Sequence, residues 1–267
     1  MITGFIGAGK VGMSMAKHFK SHGHTVCGFY TVDTDPREDI FTFAPSPAEL
    51  LQTADIIFIT TPDGEIEKVW REIKKQPLNG KIICHASGAL SSAVFDGAKD
   101  LGAYAFSTHP LTAVKDKQTP LDNVSFVIEG DASKLEEIKS FFEAMQNPVI
   151  TINPENKTLY HAACVMVSNL ITGLVETGSD LFDKLDIPQS VWLPLFLNNA
   201  ANIKEAGIIN SLTGPVERND AKTIAAHLAV LEGETKEIYT KLSHALLAVA
   251  KQKNPQRDYT ETEKVLK

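Results

Sequence analysis

The chain has 267 residues, of which 43% are hydrophobic and 22% charged, a balance that excludes a disordered or fibrous protein and allows one large domain or two ordinary ones. The formal net charge of −7 excludes a general nucleic-acid-binding role, because phosphate contacts need a basic face. No run of about 18 apolar residues predicts a membrane span, and the N-terminal residues lack the basic and long apolar regions of a signal peptide. Cys27, Cys84 and Cys164 form no C-x-x-C pair, so we expect reduced thiols in a cytoplasmic protein.

Strand-like and helix-like segments alternate along the first 153 residues. The predicted strands are 1–6, 25–30, 56–59, 81–84, 103–107, 124–128 and 149–152, and the predicted helices are 10–22, 63–75, 91–101 and 132–146, with one more helix after the capping residue Ser46. Residues 56–59 are apolar on both faces, as in a parallel sheet that helices cover. The alternation predicts an α/β fold with a doubly wound, Rossmann-like parallel sheet.

The alternation stops near Pro154, and the remaining chain has helical patterning. The predicted helices are 156–184, 188–206, 219–232 and 234–252, followed by a loose polar tail from Asn254. We expect a dinucleotide-binding domain over residues 1–153 and an all-α substrate and dimerisation domain over residues 154–267. The first two of these helices hold more apolar residues than one packing face needs. That excess favours a homodimer through the helical domain, and an intradomain core is the alternative.

A G-x-G-x-x-G motif follows the first predicted strand and opens the first predicted helix, which is the context of a dinucleotide site. Its residues are Gly7, Ala8, Gly9, Lys10, Val11 and Gly12. The first glycine allows a tight turn, the second lets the backbone approach a pyrophosphate, and the third lets the helix pack close to the strand. The free N–H groups at the start of the helix bind the anion.

Two residues after the second predicted strand bear on the choice between NAD and NADP. Asp33 lies 21 residues beyond Gly12, near the position of a carboxylate that binds the ribose 2′-hydroxyl of NAD. A solvated acidic turn is an equal alternative for Asp33. Arg37 could face the 2′-phosphate of NADP, so these residues leave the two cofactors open.

Two loops at the carboxyl ends of predicted strands supply further candidates for contact with the cofactor. Thr61 and Pro62 follow the strand at 56–59, and Ala86 and Ser87 follow the strand at 81–84. Their small size permits the close approach of a nicotinamide. An ordinary turn at Thr61 and an ordinary helix cap at Ser87 are the alternatives.

The candidate proton donors are histidines. His109 follows a predicted strand on the cofactor side, where a general acid–base residue is expected, and a structural hydrogen bond is the alternative. His161 and Ser168 are seven residues apart on a predicted helix, with Asn169 beside them, so they share a face that lines a substrate pocket or bonds to the neighbouring domain. The spacing of His and Cys predicts no metal site.

Arg218 is one of only four arginines and lies in a loop that contains Gly214 and Pro215. Its guanidinium could bind a substrate carboxylate or phosphate through two hydrogen bonds, with Thr213 nearby. A salt bridge to an adjacent acidic residue is the alternative.

Several segments together resemble an uncharacterised bacterial family of NADP oxidoreductase type. They are Cys84–Ser91, Thr108–Leu111, Tyr160–Ala163 with Ser168 and Asn169, and Leu212–Arg218 with Asp220, His227 and Leu228. The resemblance covers nearly the whole chain. It implies a Rossmann-like domain followed by a helical domain of unknown function, a fold akin to pyrroline-5-carboxylate reductase, ketopantoate reductase and the β-hydroxyacid dehydrogenases. In those relatives the helical domain closes the site and often builds the dimer. The resemblance favours NADP and identifies no substrate.

Comparison with known families also marks departures. Prephenate dehydrogenases place a Ser after one strand and a His-Pro after the next, and Ser87 and His109 are similar. The β-hydroxyacid dehydrogenases carry a Lys four residues before an Asn on the first long helix of the second domain; Asn169 matches, but Val165 stands in the position of the lysine. The resembled family has a Ser-Arg pair where this chain has Thr31 and a valine, which weakens the inference of NADP.

The sequence therefore predicts an NAD(P)-dependent oxidoreductase acting on a carbonyl or imine carbon of a small anionic metabolite in an interdomain cleft. His109 or His161 moves the proton, Ser87 and Asn169 orient the reacting atom, and Arg218 anchors the anion. Two alternatives stay open: a non-catalytic dinucleotide sensor and, from a related Rossmann family, a deazaflavin-dependent reductase.

Overall fold

The computed structural model describes residues 1–32 and 40–267, which form two compact units, Met1–Leu170 and Ile171–Lys267. Each unit contains a hydrophobic core of its own. The domain boundary expected after residue 153 stays a prediction.

The first unit is built on a seven-stranded sheet with the order β2-β1-β3-β4-β5-β6-β7. The strands are β1 Ile2–Ile6, β2 Thr25–Tyr30, β3 Ile56–Ile59, β4 Ile82–His85, β5 Tyr104–Pro110, β6 Phe126–Gly130 and β7 Val149–Thr151. Strands β1 to β5 are parallel, which confirms the predicted α/β fold with a Rossmann-like sheet. One correction concerns β6, which pairs antiparallel with β5. Residues 111–125 between the two strands form no helix, and a parallel neighbour would have required a crossover connection, usually a helix.

Helices lie on both faces of this sheet. They are α1 Lys10–Ser21, α2 Pro47–Thr53, α3 Asp63–Ile73 and α4 Leu135–Glu143, and a fifth helix, α5 Lys157–Met166, follows β7. In β3, Ile56 and Phe58 belong to one core cluster, whereas Ile57 and Ile59 belong to another. Because successive strand residues point to opposite faces, the two clusters are the cores on the two sides of the sheet.

Two predicted helices are interrupted in the structure. The segment predicted as a helix at 91–101 instead forms two 3₁₀ turns, Ser92–Val94 and Lys99–Leu101, separated by Gly97 with a φ of +77°. The predicted helix 156–184 breaks after Met166, and α6 covers Asn169–Asp183. At the break, the Ser168 hydroxyl donates to the Cys164 carbonyl at 2.6 Å, a local bond that competes with regular helix geometry.

The second unit contains helices α7 Gln189–Ser211, α8 Ala221–Val230, α9 Gly233–Lys253 and α10 Thr260–Val265. The expectation of a loose tail from Asn254 is wrong. Tyr259 and Leu266 are buried in the core of this unit, and the Tyr259 hydroxyl donates to the Glu217 carbonyl at 2.8 Å. Burial of these two side chains holds the C-terminal segment in place.

A long apolar stretch of the chain is exposed in the structure. Pro154–Asp183 holds an 18-residue window with a mean hydropathy of 1.4, none of it buried, so its length and composition alone would allow a membrane span. The stretch is interrupted at 167–168, where the helical hydrogen-bond pattern fails. We interpret it as an apolar protein surface.

Candidate functional site

The glycine motif forms a tight turn between β1 and α1. Gly7 has a φ of +104°, and a Cβ at this position would lie 2.8 Å from the Thr61 nitrogen. A Cβ on Gly12 would lie 2.3 Å from the Thr60 Oγ1 and 2.6 Å from the Gly7 carbonyl oxygen. These two glycines are therefore required by the packing of the loop against the end of β3.

Gly9 differs from the other two glycines because the surrounding chain leaves space for a Cβ at this position. The nearest atom to a Cβ on Gly9 would be the Thr60 carbonyl oxygen, at 3.8 Å, and its φ of −73° suits any residue. Gly9 is the N-cap of α1, where free N–H groups can bind an anion. A requirement for glycine here would come from a ligand that approaches the backbone.

Two threonines at the end of β3 complete this side of the site. The Thr60 hydroxyl donates to the Gly7 carbonyl at 2.7 Å. The Thr61 Oγ1 is buried and has no hydrogen-bond partner in residues 1–32 and 40–267. Because β1 and β3 flank the point where strand order reverses, Thr61 follows β3 at the edge of the sheet where such folds bind dinucleotides. The residues present thus fit a bound dinucleotide.

The remaining predicted cofactor contacts are only partly described. Asp33 and Arg37 lie outside the described residues. Thr31 follows β2, Ala8 is buried in the glycine loop, and Lys10 is exposed at the start of α1. Val11 and Ala86 are partly exposed and Pro62 is exposed at the same edge of the sheet.

Ser87 is fully engaged within the chain. Its hydroxyl donates to the Asp63 carboxylate at 2.7 Å and accepts from the Ala89 and Leu90 nitrogens at 3.1 and 3.0 Å. The bonds fix the loop after β4 against the start of α3. They use its one donor and both of its acceptor lone pairs, so its geometry suits positioning of the loop.

His85 is also held by the loop. Its ring donates from Nε2 to the Ser91 carbonyl at 3.2 Å and accepts at Nδ1 from the Ser87 nitrogen at 3.2 Å. Burial lowers the pKa of His85 to about 4, so the ring is neutral at pH 7. These bonds agree with a structural role for this histidine.

The structure brings the two predicted histidines together. A Cβ on Gly88 would lie 2.7 Å from His161 Cδ2 and 2.9 Å from His109 Nε2, so both rings pack on this glycine. His109 Nδ1 forms a 2.6 Å hydrogen bond with the Tyr160 hydroxyl. Burial, with the nearby charges of Lys157 and His161, lowers the pKa of His109 to about 4.

Lys157 is a functional candidate that the sequence analysis missed. The side chain lies at the start of α5, the residue is 2% exposed, and its Nζ has no hydrogen-bond partner in the described parts of the chain. The Nζ lies 5.3 Å from the centre of the Tyr160 ring. Burial lowers the pKa of Lys157 to about 8, against an attraction to Glu129 that raises it. We call His109, Lys157, Tyr160 and His161 the His–Tyr–Lys cluster.

Glu129 is the acidic residue whose charge attracts Lys157. The carboxylate is buried on β6 and accepts hydrogen bonds of 2.7 Å from both the nitrogen and the hydroxyl of Ser92. It forms no ion pair with Lys157 in the described structure, since both of its oxygens face Ser92. The sequence did contain a signal for Lys157. The β-hydroxyacid dehydrogenases carry a Lys four residues before an Asn, and Lys157 stands four residues before His161.

Other predicted site residues lie apart from the cluster or in the second unit. Asn169 is exposed and bonds to Ser168 at 3.0 Å, and the break in the helix removes the shared face with His161 that a continuous helix would give. In the second unit, Arg218 and Thr213 are exposed. The alternative for Arg218 is a salt bridge to an adjacent acidic residue, and one such residue, Glu217, pairs with Arg257 at 3.2 Å.

Comparison with known families identifies the first domain. Residues 3–153, more than half of the chain, match the family described as the NAD binding domain of 6-phosphogluconate dehydrogenase. Residues 124–246 match a second family, described as a domain of unknown function (DUF2520). The combination agrees with the resemblance drawn from the sequence segments.

Solved structures share the fold over most of the chain. A protein from Thermotoga maritima superposes with a TM-score of 0.76 at 22% identity, covering 94% of this chain and 98% of the other. An imine reductase from Myxococcus stipitatus in complex with NADP⁺ gives 0.64 at 14% identity, with 100% of both chains covered. Pyrroline carboxylate reductase from Plasmodium falciparum with NADP bound gives 0.60 at 14%, covering 94% of this chain and 98% of the other.

One curated relative matches part of the chain. A D-2-hydroxyacid dehydrogenase (NAD⁺) from Clostridioides difficile is 41% identical over 60 residues, which are 22% of this chain. The matched region spans 18% of the length of that relative. The D-2-hydroxyacid dehydrogenase uses NAD⁺, whereas the imine reductase and the pyrroline carboxylate reductase hold NADP⁺ and NADP, so these relatives leave the choice between NAD and NADP open.

Proposed function

The chain belongs to the NAD binding domain family of 6-phosphogluconate dehydrogenase, and from that premise we propose that it is an NAD(P)-dependent oxidoreductase that acts on a carbonyl or imine carbon of a small anionic metabolite. When bound, the nicotinamide donates or accepts the hydride, and the protein supplies position, charge and a proton. One observation carries the proposal: the buried ammonium group of Lys157, which has no hydrogen-bond partner in residues 1–32 and 40–267, lies 5.3 Å from the ring of Tyr160, the partner of His109.

The positions of the glycine loop and of the His–Tyr–Lys cluster support hydride transfer between a bound nicotinamide and a substrate at the cluster. The glycine loop follows β1 and His109 is the next-to-last residue of β5, at the same carboxyl edge of the parallel strands. Three strand spacings separate β1 from β5, or roughly 14 Å. A dinucleotide that extends from the glycine loop along this edge reaches towards the His–Tyr–Lys cluster.

The two pKa shifts divide the roles within the cluster. Lys157, with a pKa of about 8, is mostly protonated at pH 7 and can donate a proton or stabilise negative charge on the reacting oxygen. His109, with a pKa of about 4, is neutral at that pH and is a poor proton donor. We therefore assign the proton to Lys157 and substrate orientation to His109 and His161.

The Lys157 ammonium is buried without a hydrogen-bond partner in the described parts of the chain, which also supports an anionic substrate. An unpaired buried ion is costly, and a substrate carboxylate or developing alkoxide would offset that cost. Contacts from Arg218 and Thr213 in an interdomain cleft, and from Asn169, stay predictions.

We also propose a cytoplasmic homodimer that associates through the helical region. The three cysteines are free thiols, as reducing surroundings allow. Large apolar side chains are exposed on the helices from α5 to α7, among them Leu174, Val191, Leu195 and Leu197. Apolar surface of this extent favours burial against a second copy.

A glycine substitution tests the cofactor site. In Gly9→Ala, the new methyl group meets no atom of the chain closer than 3.8 Å, so we expect a loss of folding stability below about 1 kcal/mol. The methyl group blocks backbone approach of the pyrophosphate, and the Kd for NADH or NADPH, measured by fluorescence titration, should rise at least tenfold. Gly64→Ala in α3, where a Cβ also meets no atom within 4 Å, is the matched control and should leave the Kd unchanged.

Wild-type protein that binds neither NADH nor NADPH would disprove the cofactor assignment. Turnover is measured by absorbance at 340 nm with a panel of keto acids, imines and hydroxy acids. Binding without turnover across that panel would favour the dinucleotide sensor over the enzyme.

A further inference from the structure

Two histidines and a carboxylate meet at the end of α1, away from the glycine loop. His18 and His22 lie one turn apart at the end of α1, and Asp122 lies in the connection between β5 and β6. The three potential ligand atoms are all within 4.8 Å of one another. The sequence spacing of His and Cys predicted no metal site, because Asp122 is about a hundred residues away along the chain.

The hydrogen bonds around His18 determine which ring nitrogen carries the proton. The Asn147 amide donates from Nδ2 to the Leu121 and Val124 carbonyls at 2.8 and 2.9 Å, which fixes its orientation. Its Oδ1 therefore accepts from His18 Nε2 at 2.7 Å. Neutral His18 then has its lone pair on Nδ1, which faces Asp122 Oδ1 at 4.0 Å.

His22 is oriented in the same way by a different partner. Its Nδ1 donates to the His18 carbonyl oxygen at 2.9 Å, and a carbonyl can only accept. The lone pair of neutral His22 is therefore on Nε2, which lies 4.0 Å from Asp122 Oδ1.

Three acceptor atoms thus converge within 4.8 Å of one another, an arrangement that a cation would stabilise. We propose that His18 Nδ1, His22 Nε2 and an Asp122 carboxylate oxygen bind one divalent transition-metal ion of the zinc class. A hydrogen-bond acceptor that holds the second nitrogen of each histidine is the usual outer shell of such sites. Two nitrogens and one carboxylate oxygen are also the ligand types that these ions prefer.

Small side-chain movements would close the site. Zinc binds nitrogen and oxygen ligands at about 2.0–2.2 Å, so the ligand atoms need to move inward by less than about 1 Å each. The Asp122 side chain is 63% exposed and that of His22 is 26% exposed, which allows this movement. A cavity of about 200 Å³ lined by His18, Ser21 and Asp122 leaves room for water ligands.

The ion would fasten the β5–β6 connection to α1. That connection already bonds to the helix, since the Ser14 hydroxyl donates to the Asp116 carbonyl at 3.2 Å. It directly follows Pro110 and therefore the strand that carries His109. Metal binding at this site would stabilise the folded unit without contributing a ligand to the cofactor site.

Zinc titration of the full chain tests the proposal. Chelator-treated protein competes with a chromophoric chelator for Zn²⁺, and melting is followed with and without the ion. We expect one Zn²⁺ per chain, a higher Tm with Zn²⁺, and at least a tenfold loss of affinity in each of His22→Ala and Asp122→Asn. Both substitutions are at exposed or partly exposed side chains, and unchanged Tm values without zinc establish that the variants fold.

His24→Ala is the matched control, because it removes a neighbouring histidine that packs on Phe141 at 4.7 Å instead of facing Asp122. Its zinc affinity should equal that of the wild type. No binding by the wild type, a loss below tenfold in either ligand variant, or a tenfold loss in His24→Ala would overturn the proposal. Dinucleotide binding is measured on the same variants and should be unchanged, so this result is independent of the proposed enzyme activity.

Discussion

At the scale of single residues, Lys157 combines a proposed role in chemistry with a cost in stability. Burial lowers its pKa from 10.5 to about 8, so the protonated form is less favourable in the folded chain than in the unfolded chain. The unfolded state binds more protons between these two values, and stability from this group therefore rises with pH in that window. Below about pH 8 the full penalty is present.

Lys157→Met should separate stability from activity. Removing the buried charge should raise the free energy of unfolding at pH 7 by on the order of 1 kcal/mol. The gain should shrink as the pH rises from about 8 towards 10.5, because the wild-type lysine then sheds its own penalty. Turnover should fall by about 100-fold or more. Urea unfolding at several pH values and initial rates provide the measurements.

Lys74 is exposed, so Lys74→Met is the control and should change neither the free energy of unfolding nor the turnover appreciably. If Lys157→Met lowered stability at pH 7, or kept full activity, Lys157 would be a packing residue and the proton would have to come from another group.

At the scale of elements, residue patterns predict whether a segment is a helix or a strand. They predict less well the direction in which a strand pairs and the residue at which a helix breaks. The cap at Ser46 and the start of α2 were predictable, since the side chain accepts from the Glu49 nitrogen at 3.3 Å. The reversed direction of β6 was not, because a buried strand has the same apolar pattern in either direction. The break between α5 and α6 depends on a local hydroxyl bond from Ser168 that helical periodicity does not reveal.

The contact of α1 with the end of β3 gives a prediction at this scale. Gly12→Ala places a methyl group 2.3 Å from the Thr60 hydroxyl and 2.6 Å from the Gly7 carbonyl, so α1 or the loop must shift. Overpacking of this kind costs about 1–3 kcal/mol, and chemical unfolding should show that loss together with weaker dinucleotide binding.

Gly64→Ala provides the comparison, because Gly64 lies within α3 with open space around it. We expect it to raise stability by roughly 0.5–1 kcal/mol through helix propensity. Equal effects of the two substitutions would contradict close packing at Gly12.

At the scale of the whole molecule, sequence reasoning identified the Rossmann-like sheet and the helical second part, because both follow from periodicity and the glycine motif. Only part of the candidate site could be predicted from the sequence. His109 and His161 could be nominated individually, but their meeting on Gly88 depends on the tertiary arrangement of β4, β5 and α5. Lys157 was missed because a lone lysine at a helix start is usually exposed.

The exposed apolar side chains of α7 lead to a prediction that the protein forms a homodimer. Helix α7 exposes Leu195 at 70% and Leu197 at 55%, and an apolar helix of this kind is expected to be buried. Size-exclusion chromatography with light scattering should give about twice the 29.1 kDa mass of one chain. Leu195→Glu should shift the population to the single-chain mass.

Gln189→Glu introduces the same charge at an exposed position on the same helix and should leave the mass unchanged. A wild-type mass near 29.1 kDa would rule out the dimer.

The hydrogen bond from Thr60 to the Gly7 carbonyl has a consequence for how a dinucleotide binds. It fixes the glycine loop against β3 before any ligand arrives, so the conformational entropy of this turn is lost during folding. Ordering one residue costs about 1–2 kcal/mol, and a loop that is already ordered spares the ligand that cost. Association at this loop then resembles docking to a rigid template, and the lifetime of the complex is governed by the contacts that form after docking.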